Sequence, residues 1–281
     1  MRKGRHLALL NMRQSIYIVD AFTDQPFGGN PAAVCPLAGP VDPQWMQAVA
    51  AEMNLAETAF FYRDQDAWHL RWFTPTVEVD LCGHATLASA HILWESGMLP
   101  REAAIQFDTR SGRLRVMPRG TGYEMDFPAK PPILTEPLVG FADALGAEPV
   151  WVGTNGMDLF AELPCEQTVR SLQPDLGRIA AFPVRGVIVT ARAESTQDID
   201  FVSRFFAPAS GIPEDPVTGS AHCALGPYWA DRLGKLDLAG YQVSQRGGRV
   251  QVCVRGERVL LGGQAVTVMK GELATLLSPQ G

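Results

Sequence analysis

The residues of this chain that could do chemistry gather in two short stretches of similar design. The first runs from Phe73-Thr-Pro75 through Glu78 and Asp80 to Cys82-Gly-His-Ala-Thr86. The second runs from Phe206-Ala-Pro208 through Glu214 and Asp215 to Thr218-Gly-Ser-Ala-His222. Each places a Phe-x-Pro step, then acidic residues, then a run of small residues ahead of a helical pattern. The first pattern, read as amphipathic from Leu87 to Ser96, stops at Gly97, and the second, Cys223 to Leu233, stops at Gly234. The first backbone N–H groups of a helix have no partner within it, and the helix dipole makes that end positive. Small residues there, Gly83 and Ala85 in one copy and Gly219 and Ala221 in the other, let an anionic ligand approach the backbone. Carboxylates, an imidazole (His84) and a hydroxyl (Ser220) stand beside those helix starts. That combination suits removal of a proton next to a carboxylate or carbonyl, with the helix ends stabilising the resulting anion.

Bland alternatives exist for each group. Ser220 sits where an N-cap belongs, and no Gly-x-Ser-x-Gly elbow surrounds it. Asp215 could cap a turn before Pro216, and Glu78 and Glu214 read as solvated. His84 and His222 come from different halves without metal-ligand spacing, so no metal is expected. No Gly-x-Gly-x-x-Gly follows a strand and no Walker lysine appears. Gly247-Gly248, after Arg246, reads as a hairpin turn.

Earlier in the chain, Leu55 to Tyr62 reads as a strand. Alternation puts Leu55, Glu57, Ala59 and Phe61 on one face. A carboxylate on an apolar face is costly, and desolvation favours its protonated form. The competing reading is an edge strand with Glu57 in water. Asn30, in the turn-rich segment Thr23 to Pro31, is a candidate ligand contact or a turn residue.

These residues need two similar scaffolds. Gly83 and Gly219 lie close to half of the 281 residues apart, which implies a duplicated domain rather than a solenoid period. The expected organisation is an N-terminal lobe over 12–128, a proline-rich linker at Pro128 to Pro132, and a C-terminal lobe over 133–267. The segment from about 268 to 281 is a candidate to rejoin the first lobe, and residues 1–11 read as a disordered extension. Both helix starts are expected to face a shared cleft. Asp42 and Pro43 open a helix that ends at Asn54. Pro227 is expected to kink or end the second helix early.

Composition narrows the partners. The chain is 46% hydrophobic and 19% charged with a net charge of −6, ordinary for a protein with a core. It has no basic cluster for nucleic acid or acidic membranes and no apolar run of about 18 residues. Five scattered cysteines, 35, 82, 165, 223 and 253, argue for reduced thiols and a cytoplasmic location rather than disulfides or a zinc site. Cys82 stands apart because it abuts a helix start, an environment that favours thiolate.

Taken together, Asp20 to Val34, Asn54 to Phe60, Phe73 to Thr86 and Glu214 to His222 resemble the PhzF-like family of isomerases named for phenazine biosynthesis. The resemblance extends from about Ser15 to the end of the chain. It implies an α/β (α+β) protein of the diaminopimelate-epimerase-like fold: two pseudo-symmetric lobes, each a mainly antiparallel barrel-like sheet around a central helix. By the resemblance, Glu57 is the acid/base residue and His84, Asp215 and Ser220 are supporting polar residues. The loops at Gly83 and Gly219 bind the anionic substrate. No cofactor and no metal are implied, and a homodimer is. The related two-cysteine epimerases carry a thiol before each glycine. Here Cys82 fills the first position and Thr218 the second, which disfavours a two-thiol racemase. The alternatives are a one-thiol epimerase using Cys82 and a catalytically idle protein that binds a small anion.

Overall fold

The computed structural model of the protein describes residues 14–194 and 198–274. The expected extension over residues 1–11 lies outside them. In chain order the elements are β1 (Gln14–Ala21), β2 (Asn30–Leu37), α1 (Pro43–Met53), β3 (Glu57–Asp64), β4 (Ala67–Phe73), β5 (Glu78–Val79), α2 (Gly83–Glu95), β6 (Ile105–Thr109), β7 (Gly112–Arg119), β8 (Gly122–Pro128) and β9 (Ile133–Leu134). There follow α3 (Phe141–Leu145), β10 (Trp151–Thr154), β11 (Asp158–Glu162), α4 (Glu166–Ser171), α5 (Leu176–Ala180), β12 (Gly186–Arg192), β13 (Phe201–Phe206), a 3-10 turn at Pro208–Ser210, α6 (Gly219–Leu233), β14 (Asp237–Gln242), β15 (Gly248–Arg255), β16 (Arg258–Gly263) and β17 (Ala265–Leu273). The short α4 and the Gly-ended β16 were not anticipated. A six-residue helix is too short for a 3.6-residue period to show, and glycines disguise a strand end as a turn.

The chain forms two compact units. Among the described residues, one comprises those up to Phe27, Pro31–Tyr123 and those from Gln264; the other comprises Gly28–Asn30 and those within Glu124–Gly263.

In the first unit β1 pairs antiparallel with β17. β2 runs parallel to β3, β3 antiparallel to β4, β4 parallel to β6, and β6 antiparallel to β7. The parallel steps need crossovers: α1 connects β2 to β3, and α2 lies between β4 and β6. The side chain of Asp42 accepts from the Gln44 N–H, Pro43 starts α1, and Asn54 ends it in the left-handed conformation. Alternate strand residues decide which helix they meet. Ala33, Cys35 and Leu37 of β2 and Phe60 of β3 pack with Met46, Val49 and Ala50 of α1. The opposite parity of β3, Glu57, Ala59 and Phe61, points to the other face of the sheet. β3 has partners on both sides, so it is not an edge strand and the solvated alternative for Glu57 falls. Every residue of α2 from His84 to Trp94 is buried. The expected amphipathic stripe is therefore a core helix, apolar or satisfied on all sides.

The second unit repeats this order. β11 is parallel to β12, β12 antiparallel to β13, β13 parallel to β14, and β14 antiparallel to β15. The crossovers are α4 and α5 in the first case and α6 in the second. One sheet face packs on α3, α4 and α5 through Leu159, Ala161, Val187, Val189 and Ala191. Gly226 lets α6 approach β15, since a Cβ there would stand 2.6 Å from the Val252 side chain.

Two expectations change here. Pro227 does not end α6, which continues to Leu233. Proline has no N–H for the carbonyl four residues back, and that acceptor, Cys223 O, instead takes the backbone N–H of Lys130 at 2.9 Å. For the same reason Pro128 to Pro132 is no free linker. Lys130 is tied to α6, and the Ala129 N–H donates to Glu257 O. The boundary falls before the proline run, at Tyr123/Glu124.

Candidate functional site

Each unit builds its helix start in the same way. Arg71 on β4 grips Glu78 with two hydrogen bonds of 2.7 and 2.8 Å, and its guanidinium lies over the Phe73 ring. Arg204 on β13 grips Glu214 at 2.7 and 2.9 Å and lies over the Phe206 ring. The planar guanidinium suits both contacts at once. These pairs fix the loops that lead into α2 and α6, so Glu78 and Glu214 are structural clamps rather than solvated acids. An Arg-x-Phe-x-Pro pattern, shared by Arg71 and Arg204, was the available sequence signal. Asp80, by contrast, is exposed, with Arg110 3.9 Å away, and does not join the cluster at α2.

In the first unit the helix start carries three reactive groups. His84 Nε2 lies 3.3 Å from Glu57 Oε2, and His84 Nδ1 lies 3.5 Å from Cys82 Sγ. Glu57 is mostly covered, its side chain retaining 13% exposure. Cys82 and His84 are buried. Burial pushes His84 down to about 3, so the imidazole is neutral at neutral pH and its 3.3 Å approach to Glu57 is not an ion pair. A neutral imidazole has one donor and one acceptor nitrogen. It can donate from Nε2 to the Glu57 carboxylate while accepting from the thiol, or accept from a protonated Glu57 while donating to the sulfur. Cys82 is the N-cap of α2, and its side chain caps nothing.

In the second unit the corresponding helix start is a closed network. Asp215 is buried; its Oδ1 accepts from Asn30 Nδ2 at 2.8 Å and its Oδ2 from the Thr218 hydroxyl at 2.5 Å. Burial pushes Asp215 up to about 6, opposed by those two hydrogen bonds. Gln242, which sequence reasoning passed over, ties the loop together. Its Oε1 accepts the Thr218 N–H at 2.9 Å, and its Nε2 donates to Asp215 O at 2.7 Å. A buried amide has no periodic signature that would have exposed it.

The N-cap of α6 is Thr218, again without a side-chain cap. Ser220 lies inside the helix, half-buried, as its second residue, so the N-cap reading of Ser220 is wrong by two positions. Asp215 is likewise no mere turn cap. Asn30 spends its amide N–H groups on Asp215 and Val217 O, which makes it a positioning group for Asp215. Gly219 and Ala221 are buried in the first turn of α6, as Ala85 is in α2, while Gly83 is half-buried. His222 is buried with its Nδ1 on Thr218 O at 2.8 Å, and burial lowers it to about 4.

The chain matches the family described as phenazine biosynthesis-like protein, PhzC-PhzF, over residues 19–271. It is 51% identical over 266 residues to an uncharacterized isomerase of Halalkalibacterium halodurans, covering 93% of this chain and 99% of that one. A solved phenazine biosynthesis protein of the PhzF family from Enterococcus faecalis is 43% identical with a TM-score of 0.90, covering 94% of this chain and all of that one. A hydroxyproline epimerase from Agrobacterium vitis, only 14% identical over 99% of this chain and 95% of its own, shares the fold at a TM-score of 0.57. Mixed α/β architecture, duplicated motifs and these similarities agree: the chain belongs to the phenazine biosynthesis-like, PhzC-PhzF family.

Proposed function

We propose that this protein is an isomerase that moves a proton on a small carboxylate substrate, with Glu57 as the acid/base group. The observation that carries the reading is the mostly covered Glu57 carboxylate held 3.3 Å from a neutral imidazole. In the proposed reaction Glu57 takes a proton from one carbon, leaving the electron pair on the substrate as an enolate-type anion. The N–H groups at the start of α2 stabilise that anion. Glu57, now a carboxylic acid, returns the proton to another carbon. His84 holds Glu57 and sets its hydrogen bond without competing for the charge. The chain's own residues account for every proton, so the reading calls on no cofactor. Asp215 and Ser220 are assigned as supporting polar groups, by family resemblance; a cytoplasmic homodimer belongs to the same reading.

The test is NMR of a panel of small unsaturated and amino carboxylates in D₂O, with the wild type and Glu57→Gln side by side. Deuterium should enter substrate carbon with the wild type and not with the variant. Equal incorporation by both would remove Glu57 from the mechanism.

The Cys82 Sγ to His84 Nδ1 distance of 3.5 Å favours a second reading, a one-thiol epimerase in which Cys82 rather than Glu57 takes and returns the substrate proton. Alkylation of Cys82 that leaves deuterium exchange intact would eliminate it.

A further inference from the structure

The loops ahead of the two helix starts are fastened by different means. In the second unit Arg204, its side chain only 11% exposed, spends every guanidinium nitrogen internally. Nε and Nη2 go to Glu214, and Nη1 donates to Val169 O at 3.2 Å and Leu172 O at 2.7 Å. In the first unit Arg71 holds Glu78, and a second fastening comes from the tip of the β6–β7 hairpin. Arg110 Nη2 stands 2.7 Å from the same Glu78 Oε2 that accepts from Arg71, and its Nη1 stands 3.9 Å from Asp80. Ser111 Oγ donates to Asp80 O at 2.7 Å. The Thr109 hydroxyl shapes the tip, accepting the Ser111 N–H at 3.2 Å and donating to Gly112 O at 2.7 Å. Both holding points, Glu78 and Asp80, closely precede Cys82, the N-cap of α2. A chain reaches at most about 3.3–3.6 Å per residue, so the tip leaves the approach to Cys82 and His84 little slack.

We propose that Arg110 and Ser111 are positioning residues for the start of α2: the hairpin tip holds the 78–82 loop, and through it the Cys82 thiol and the His84 ring, in place. The fastening is a releasable one. The Arg110 side chain is 55% exposed, and an ion pair open to water is weak and screened by salt. The Arg204 bonds of the second unit are largely shielded and are screened much less. The 78–82 loop therefore opens more readily than its counterpart before α6, and more readily still without Arg110 and Ser111. His84 stands 3.3 Å from Glu57, so opening would draw the imidazole away from the carboxylate and slow proton transfer. That consequence rests on the isomerase reading; the fastening itself does not.

The experiment is backbone amide hydrogen exchange of the full chain, read by mass spectrometry on peptides spanning 78–86 and the matching 214–222. Raising salt from about 0.1 to about 1 M cuts the screening length from about 10 to about 3 Å. In the wild type that change should speed exchange at 78–86 and leave 214–222 alone. Arg110→Ala combined with Ser111→Ala should speed 78–86 by about tenfold, the factor expected for losing an exposed ion pair and one hydrogen bond, and should abolish the salt response. Arg110→Lys, with Ser111 intact, should restore most of the protection and the response to salt. Arg113→Ala, which removes the exposed partner of Asp108 on the same hairpin, should change neither peptide. Wild-type exchange at 78–86 in the double variant would overturn the assignment, as would acceleration of both peptides together. Under the isomerase reading the double variant should also incorporate substrate deuterium more slowly, and Arg110→Lys should recover the rate. Faster amide exchange at 78–86 in a protein that exchanges no substrate proton would leave the fastening standing and discard the isomerase reading alone.

Discussion

The helix start of α2 and that of α6 share a scaffold and differ in what they hold. Both follow a guanidinium-clamped Phe-x-Pro loop, and both have N-caps whose side chains leave the first turn uncapped. At α2 three reactive side chains meet: Cys82 Sγ stands 3.5 Å from one ring nitrogen of the neutral His84, and Glu57 Oε2 stands 3.3 Å from the other. At α6 the acid is locked: Asn30 and Thr218 hold the Asp215 carboxylate, and Gln242 pins the loop beneath it. The same duplicated fold thus presents a cluster of reactive groups at one start and a closed hydrogen-bond network at the other. A carboxylate whose oxygens are both engaged by fixed donors is poorly placed to exchange protons with a ligand, whereas one against a tautomerisable ring is well placed.

The largest expected contrast is catalytic. Glu57→Gln should cut deuterium exchange by roughly 10²- to 10⁴-fold, the usual range for a general acid/base, with its melting temperature nearly unchanged. If Asp215→Asn lost as much while Glu57→Gln lost little, the division between the two starts would be inverted.

The next contrast is in stability against pH. Asp215 has its folded midpoint raised from 3.8 to about 6, so the folded protein takes up that proton more readily than the unfolded chain. Its favourable contribution is complete below about 3.8 and is lost as pH rises through about 6. A midpoint raised that far corresponds to about 3 kcal/mol. Relative to wild type, Asp215→Asn should therefore gain on the order of 3 kcal/mol between about pH 4 and pH 7 in urea unfolding. His84 and His222 act with the opposite sign. Their folded midpoints are lowered to about 3 and about 4, so their contribution is present above the ordinary 6.5 and lost as pH falls. Comparing the variant with wild type at each pH cancels them. A difference that does not change with pH would show that Asp215 is ionised throughout.

A smaller effect sharpens the locked start. Thr218→Val removes one donor from a buried carboxylate and should cost about 1–3 kcal/mol. It should also move the Asp215 midpoint higher, because the Thr218 bond lowers it, as read by the pH at which the stability difference appears. The smallest expected effect is that of Ser220→Ala on stability, within about 0.5 kcal/mol. Loss of about 1 kcal/mol in its melting curve would reinstate Ser220 as a cap.

Much of this was legible in the sequence because it is written in local rules. Asp42-Pro43 and Asn54 bound α1 through capping and backbone conformation alone. The parity of Glu57 followed from the strand period, and the duplication from two matching small-residue helix starts. The exposure of Glu57 was not legible: period places a side chain on a face, but burial of that face depends on β2, β4 and α2 arriving to cover it. Nor was α2 as a core helix, since surroundings rather than period decide whether its small residues meet solvent.

What the sequence by itself determined is the pair of helix starts, the residue types offered at each, and membership of a family through motifs in order. Such features depend on chemistry within a few residues, where the chain has little freedom. Only the tertiary structure decided which groups meet. Lys130 satisfies the carbonyl that Pro227 leaves open, Gln242 locks the loop at Asp215, and Glu57 reaches His84. Each joins polar groups remote in sequence that meet because burial removes the water that would otherwise satisfy them.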